Sequence, residues 1–566
     1  MPLAPRKLRI GLLIDSFQQP LWVAKMLEEI VGSDYAEISL LIVNDRDLSP
    51  APVERREVGL LGKLAANREH LLYTLYNRLE AWRGTHGIDA FEPVFIGERF
   101  SGCPTISVQP RMTKFCDYFE DADVDAILEH DLDVALRLGF RILKGRALEI
   151  ARFGIWSYHH GDNLSYRGGP AGFWEVAENR PITGSILQVL TEQLDNGAVL
   201  DRLYARTNRM SVRANRNNLY WKTAALIPRK LRELHEHGTE VVEKDPISAE
   251  YRPYSGRLYT KPTNRETASL LGSLALRRIR NRVADAHSFP QWFVAFKLHG
   301  KAKRESSVPD ATYYNFRHIV PPPDRFWADP FPVLKGDRYH IFVEELPYAT
   351  NKGHIAVLEL DRQGRWGESK IALELPYHLS YPFLFEWKGG LFMIPETAAN
   401  RTVEVYRCAD FPDGWELVDV LLDDVYAVDA TLAEIEGRWW MFLNKGVEGA
   451  LDRDDELHIY HAPSPLGPWQ PHRRNPVKTD VRSARPGGRL FRSNGDWYRP
   501  AQDGSERYGW GMTVNKILHL SETDFREEPV GKILPEWTPG LLGTHTLNAA
   551  PGLTVIDGLR RRSKFR

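Results

Sequence analysis

The residues best suited to chemistry lie in GIWSYHHGDNLSYRGGPAGFWE, residues 154–175, and in PITGSILQVLTEQLDNGAVL, residues 181–200. Apolar residues run up to Trp156. His159 and His160 then follow where a strand should end. Asp195 comes in the loop after a second candidate strand, TGSILQVL at 183–190. Ligands of open α/β sheets bind just beyond the carboxyl ends of strands, so His159 and Asp195 can converge on one cleft. A histidine moves protons near neutral pH, and a neighbouring carboxylate orients the ring and holds its charged form. The competing reading of His159 is a structural histidine. His159, His160 and Asp162 also make a loose metal pattern, and we expect no metal there.

The elements that must carry these residues are legible from periodicity. LRIGLLI (8–14) and ISLLIVN (38–44) read as strands, and LWVAKMLEEIV (21–31) as a helix. Strands alternating with helices of this length predict a parallel α/β sheet. From 211 to 300 the chain turns basic, with 16 Lys/Arg against 8 Asp/Glu. Its stretch ASLLGSLALRRIRNRV (268–283) reads as a connecting helix, with peripheral membrane contact as the alternative. After 310, aromatic-rich hairpins recur, starting near DPFPVLKG (329), YPFLFEWKGG (381), VDATLAEIEG (428), RPGGRLF (485) and APGLTVIDG (550). Five units of roughly 50 residues predict a five-bladed β-propeller. The expected organisation is therefore multidomain: a Rossmann-like α/β domain over 1–210, a partly helical basic connector over 211–311, and an all-β propeller over 312–566.

Composition narrows the field. The 566 residues are 43% hydrophobic and 26% charged, with 74 Lys/Arg against 75 Asp/Glu. That balance argues against nucleic acid as a partner. Three cysteines make no disulfide framework and no pair has zinc spacing, which suits a reducing cytoplasm. The apolar run Ile10 to Ile14 is too short for a signal-peptide core. No stretch approaches the ~20 apolar residues of a membrane span.

Residues 90–205 resemble the folate-dependent formyltransferases of methionyl-tRNA, glycinamide ribonucleotide and amino sugars. The likeness rests on His159, Arg167-Gly168, Thr183-Gly184, and LDNGAVL with Asp195 and Gly197. It implies 10-formyltetrahydrofolate as co-substrate and an amine as acceptor. His159 would stabilise the oxyanion, and Asp195 would orient the imidazole. The family's asparagine falls on Ser157 here, and loss of such a donor typically costs about 10²–10³ in rate. LGFRILKGRAL (138–148) resembles the pteridine-pocket wall, which makes Gly139, Phe140, Ile142 and Leu143 cofactor contacts. The second half resembles the five-bladed furanosidase superfamily, and most of all the propeller fused to plant glucosaminyl inositolphosphorylceramide transferases, on FWADPF (326–331) and VDAT (428–431). That likeness puts Asp329 and Asp429 in a central funnel, with Glu396 as a stand-in acid and Arg485 suited to an anionic group. Together these imply N-formylation of an amino sugar, nucleotide- or lipid-linked. The alternatives are a formyl or formylfolate hydrolase, a non-catalytic carbohydrate-binding protein, and a glycosidase-like propeller.

Overall fold

The computed structural model describes residues 6–45, 68–84, 87–192, 197–238, 254–300, 306–310, 312, 314–447 and 449–565. The chain divides into two compact units, residues 1–277 with 447–451, and residues 278–446 with 452–566.

The first unit is built on a seven-stranded sheet. Its strands are β1 (Leu8–Ile14), β2 (Ala36–Asn44), β3 (Thr105–Val108), β4 (Val134–Arg137), β5 (Ile155–His159), β6 (Ile182–Val189) and β7 (Ala198–Arg206). The order is β7-β6-β5-β4-β1-β2-β3, parallel from β5 to β3, with β6 and β7 antiparallel at one edge. The almost unbroken apolar run of β1 is what a central parallel strand needs, because both of its faces are buried. Helix α1 (Leu21–Val31) turns Trp22, Val23, Met26, Leu27 and Ile30 inward and leaves Lys25, Glu28 and Glu29 in solvent, an amphipathic spacing. Burying each such large apolar side chain stabilises by about 1.5–3 kcal/mol.

The stretch read as a connector supplies elements to both units instead. Helices α2 (Val212–Ala224) and α3 (Leu226–His237) bury Leu219, Leu226, Ile227, Leu231 and Leu234 in the core beneath the first sheet. Ser211 caps α2 by accepting from the Ala214 amide, 3.2 Å. The division between units falls within α4 (Asn264–His287). This helix buries Leu270 and Leu274, while Leu276, Ile279 and Val283 stay exposed. Among the described residues no helix is long and apolar enough to cross a membrane. Strand β8 (Ser288–Leu298), also from the predicted connector, is a central strand of the second unit. Its continuous buried apolar run, Trp292 to Phe296, outweighs the basic character of the region around it.

The second unit contains five antiparallel sheets. Sheet A comprises β10 (Arg325–Lys335), β11 (Arg338–Pro347), β12 (His354–Asp361) and β13 (Lys370–Leu373). Sheet B comprises β14 (Ser380–Trp387), β15 (Gly390–Glu396), β16 (Val403–Asp410) and β17 (Gly414–Leu422). Sheet C comprises β18 (Ala427–Ile435), β19 (Arg438–Lys445), β20 (Glu456–Ala462) and β21 (Gln470–Pro471). Sheet D comprises β22 (Phe491–Ser493), β23 (Asp496–Asp503), β24 (Gly511–Leu520) and β25 (Phe525–Ile533). Sheet E joins β8 and β9 (Arg317–Ile319) to β26 (Leu541–Gly543), β27 (Leu547–Ala550) and β28 (Leu553–Ser563). The early strand β8 thus pairs with the last strand β28 along its whole length.

Each sheet opens with a two-residue hairpin carrying glycine at positive φ: Gly336, Gly389, Gly437, Gly495 and Gly552. In B, C and D the preceding Lys388, Glu436 and Asn494 also have positive φ, as the twist of a type I′ hairpin requires. Separate apolar clusters fill the spaces between sheets. One joins A, B and C through Phe331, Phe383 and Met441, and a second joins C and D through Phe442 and Phe525. A third joins D and E through Met512 and Ile556, and a fourth joins E back to A through Val555 and Ile341. The sheets therefore close on themselves by packing, which accounts for the regular spacing of hairpins in the sequence.

Candidate active site

The first strands of sheets A, B and C share one irregularity. Register slips between Ala328 and Phe331, between Ser380 and Phe383, and between Val428 and Thr431. Within these bulges Asp329, Tyr381 and Asp429 adopt φ of 51°, 40° and 56°. A non-glycine residue held there costs about 1–3 kcal/mol, and such strain clusters at functional sites. A bulge re-aims a side chain out of the strand's alternation, and here it does so at equivalent positions of three successive sheets.

Those side chains meet residues from sheets D and E. Arg485 donates through Nε to Asp429 Oδ2 (2.6 Å) and through Nη1 to Asp454 Oδ1 (3.0 Å). Its Nη2 lies 3.7 Å from Glu396 Oε2, and its guanidinium covers the Tyr508 ring at 5.0 Å. Gln502 Nε2 donates to Asp429 Oδ2 at 2.7 Å. Tyr381 contacts Thr431 Oγ1 and accepts from the Gly488 amide, each at 2.8 Å. Beside this group, Thr546 Oγ1 donates to Asp329 Oδ1 (2.5 Å), and His545 Nε2 lies 3.8 Å from that oxygen. His545 Nδ1 is 2.5 Å from Asp557 Oδ2, and its ring stacks on Trp292 at 4.2 Å.

Burial dominates the electrostatics. Desolvation, reinforced by Asp429, Glu344 and Asp557 against the opposing charge of His545, pushes the Asp329 carboxyl up to about 7. Burial and the Asp429 charge hold the Glu396 carboxyl well above the usual range, against the pull of Arg485. Glu396 Oε2 is buried without a hydrogen-bond partner, as suits a carboxyl that carries a proton. Burial lowers His545, but Asp557 and Asp329 outweigh it and raise the imidazole to about 9. Asp329, His545 and Asp557 present ligand atoms within 4.8 Å of one another, the spacing a metal ion takes. The raised imidazole places its positive charge between the Asp557 and Asp329 side chains.

Arg485 thus lies against Glu396 and Asp429, with Asp329 close enough to act on Glu396. Arg485 is not available for an anionic group, because three carboxyls already surround it. His545, Asp557, Asp454, Gln502, Tyr381 and Tyr508 escaped the sequence reading. Starting the fifth repeat at residue 550 cut off GTHTLNA just before it, and a repeat aligned on the bulge would have exposed His545.

In the first unit the described residues include His159 and Ser157 but not the carboxylate expected to face them. Asp195 lies outside the described residues. Ser157 is buried, accepts from Arg137 Nε at 3.0 Å and donates to the Tyr158 carbonyl. That geometry commits its hydroxyl to the protein rather than to a substrate oxyanion. His159 Nε2 pairs with the Tyr166 carbonyl at 3.0 Å. His160 sits among Trp22, Tyr158 and Tyr220, stacked on the last at 3.7 Å, and burial lowers its pKa to about 3. It is a neutral histidine packed among aromatic rings. The presumed pteridine wall is also filled. Phe140 packs on Phe119 at 5.3 Å, Leu143 belongs to the same apolar cluster, and Ile142 pairs with Cys116 in a small sheet. Gly139 lies so close to the end of β1 that a Cβ there would meet the Asp15 nitrogen at 2.4 Å. The Asp15 carboxylate accepts from the Phe140 amide at 2.8 Å, which closes the crevice at the sheet's switch point.

A family model described as glucosamine inositolphosphorylceramide transferase 1, N-terminal, matches residues 317–540. The rice (Oryza sativa subsp. japonica) glucosamine inositolphosphorylceramide transferase 1 is 37% identical over 221 residues, 38% of this chain and 30% of that protein. Its Arabidopsis thaliana counterpart is 37% identical over 211 residues, 37% of this chain and 28% of that protein. The match thus spans under a third of the length of these relatives. Two solved structures are similar to part of the chain. Zg3597, a family 117 glycoside hydrolase from Zobellia galactanivorans, is 15% identical with a TM-score of 0.30, over 48% of this chain and 91% of that one. Glycinamide ribonucleotide transformylase 1 from Symbiobacterium toebii is 15% identical with a TM-score of 0.27, over 41% of this chain and 89% of that one. The curated relatives are named for a transfer involving glucosamine and inositolphosphorylceramide, not for one-carbon transfer. With Phe140 and Leu143 in the core, this corrects the expectation of 10-formyltetrahydrofolate as co-substrate.

Proposed function

We propose that the second unit is a five-bladed β-propeller whose acidic centre is a sugar site, and that the chain is a glycan-directed transferase. The observation that carries this reading is the convergence of Asp329, Glu396, Asp429 and Arg485, drawn from sheets A, B and C and the segment before D. The names of the relatives support a glycan, free or lipid-linked, as the substrate class. In this reading Asp329, its carboxyl near neutrality, accepts the proton of an attacking hydroxyl. Glu396, held protonated, delivers its proton to the leaving oxygen. Asp429, fixed by Arg485 and Gln502, binds a sugar hydroxyl. Excess carboxyl groups over cations favour polyhydroxyl or amine-bearing sugars over phosphates.

The saturated state of Arg485 favours a second reading, a sugar-binding module without turnover. Glycan-array binding combined with transfer assays on labelled sugars separates the two. If Asp329→Asn abolishes transfer but keeps binding, the site is catalytic. If wild-type protein binds sugar without transfer, the module reading stands. Absence of any glycan binding that depends on Asp429 would remove both.

A further inference from the structure

The strands that form the acidic centre continue past it, and four residues further on the chemistry changes. Val333 follows Asp329, Phe385 follows Tyr381 and Arg489 follows Arg485 at the same interval. Four residues of extended strand span about 13 Å, which sets Val333 and Phe385 apart from Asp329 and Tyr381; Arg489 lies outside the named strands and joins Phe385 through its bond to the neighbouring Leu384 carbonyl. There a cavity of about 320 Å³ is lined by Pro332, Val333, Leu391 and Pro551, with the charged side chains Arg489 and Glu386 both on its wall. A second cavity of about 230 Å³ shares Arg489 and is walled by Phe491 and Trp497.

Arg489 is the unusual member of this layer. Its Nη2 donates to the Leu384 carbonyl at 2.5 Å, and among the described residues no carboxylate lies within ion-pair distance. This contrasts with Arg485, surrounded by carboxyls, and with Arg499, which donates to Glu527 at 2.6 Å. Burial lowers the Arg489 pKa, with only Glu386 and Tyr381 opposing it at longer range. A guanidinium carries five N–H donors in a planar fork that matches an oxyanion. Partly desolvated beside two cavities, with most of those donors uncommitted, it is a poor structural choice, since apolar residues of similar volume often serve a core as well or better.

We propose that Arg489 and the two cavities beside it form an anion site for a phosphate or carboxylate whose apolar body lies against Pro332, Val333 and Leu391. The guanidinium fork takes two oxygens of the anion, and the walls take alkyl carbons. Such a ligand can come from a lipid headgroup or from a free anion.

Isothermal titration of the full chain with octyl phosphate, octanoate, inorganic phosphate and octyl glucoside tests this. Octyl phosphate or octanoate is expected to bind one per chain, with octyl glucoside at least tenfold weaker. Arg489→Met should weaken anion binding about 10- to 100-fold, the range of a lost charge-assisted hydrogen-bond pair. Val333→Phe, which fills the cavity without touching the guanidinium, should weaken the octyl ligands and spare inorganic phosphate. Inorganic phosphate binding as tightly as octyl phosphate identifies a free anion as the source; a clear preference for the octyl ligand identifies an amphiphile. Melting curves of both variants establish that they fold. The proposal is overturned if no anion binds, or if Arg489→Met leaves anion affinity unchanged in a folded protein.

Discussion

Replacing His545 by phenylalanine gives a decisive test of the charge arrangement in the second unit. The imidazole stacks on Trp292 and lies beside Asp557 and Asp329, so phenylalanine keeps the stack but removes the cation. A folded-state value of about 9 against an ordinary 6.5 corresponds to about 3 kcal/mol. The sign follows from which state holds the proton more tightly. Below the unfolded value that stability is fully present, and it is lost as pH rises from 6.5 through 9. Asp329 slopes the same way. Its carboxyl, raised from 3.8 to about 7, makes folding less favourable as pH climbs through that interval. Between pH 7.5 and 9.5 the slope therefore belongs mainly to His545. Urea unfolding across that window should show wild-type stability falling by about 2 kcal/mol and the variant nearly flat. At pH 6.5 the variant should be less stable by about 3–5 kcal/mol, because the buried Asp557 carboxylate loses its counter-charge. For a unit of this size that is about 6–15 °C in melting temperature. An NMR titration of the His545 ring gives an independent reading. Wild-type stability that does not change from pH 7.5 to 9.5, or an imidazole that titrates near 6.5, refutes the reasoning.

Other outcomes follow from particular contacts. Arg485→Met strands Asp429, Asp454 and Glu396 and should lower stability at neutral pH by about 3–5 kcal/mol in urea melts, with partial recovery when Asp429→Asn is added. Gly184→Ala puts a Cβ within 2.8 Å of the Asp162 Cβ, an overpacking expected to cost the first unit about 1–3 kcal/mol by thermal unfolding. Gly437→Ala meets no atom within 4 Å, so its cost at φ 76° is purely conformational and should come out at about 1–2 kcal/mol in the same measurement.

The elements were legible because their signals are local. The apolar run of β1 and the spacing of α1 predicted their places, and the glycine turns predicted five hairpins. The basic segment misled because charge describes a surface, whereas the buried face of α2 and α3 and the continuous apolar run of β8 decide where those elements go. The formyltransferase-like spacing misled for a related reason. Gly184 serves a close approach of Asp162, and Arg167 donates to the Asn163 carbonyl. A pattern of residues can therefore persist as packing while its crevice is closed by Gly139 and Phe140.

Asp329 and Asp429 could be named from the sequence through the resemblance carried by FWADPF and VDAT. What they touch could not. Asp329 receives Thr546, and its amide donates to Asp557, 228 residues away. Those pairings depend on which strand closes the last sheet, on bulges that turn side chains out of the strand, and on burial that moves their proton affinities. Contiguous residues determine backbone shape through turns and periodicity. Which charges face one another is decided only when separate sheets close together and water is excluded between them.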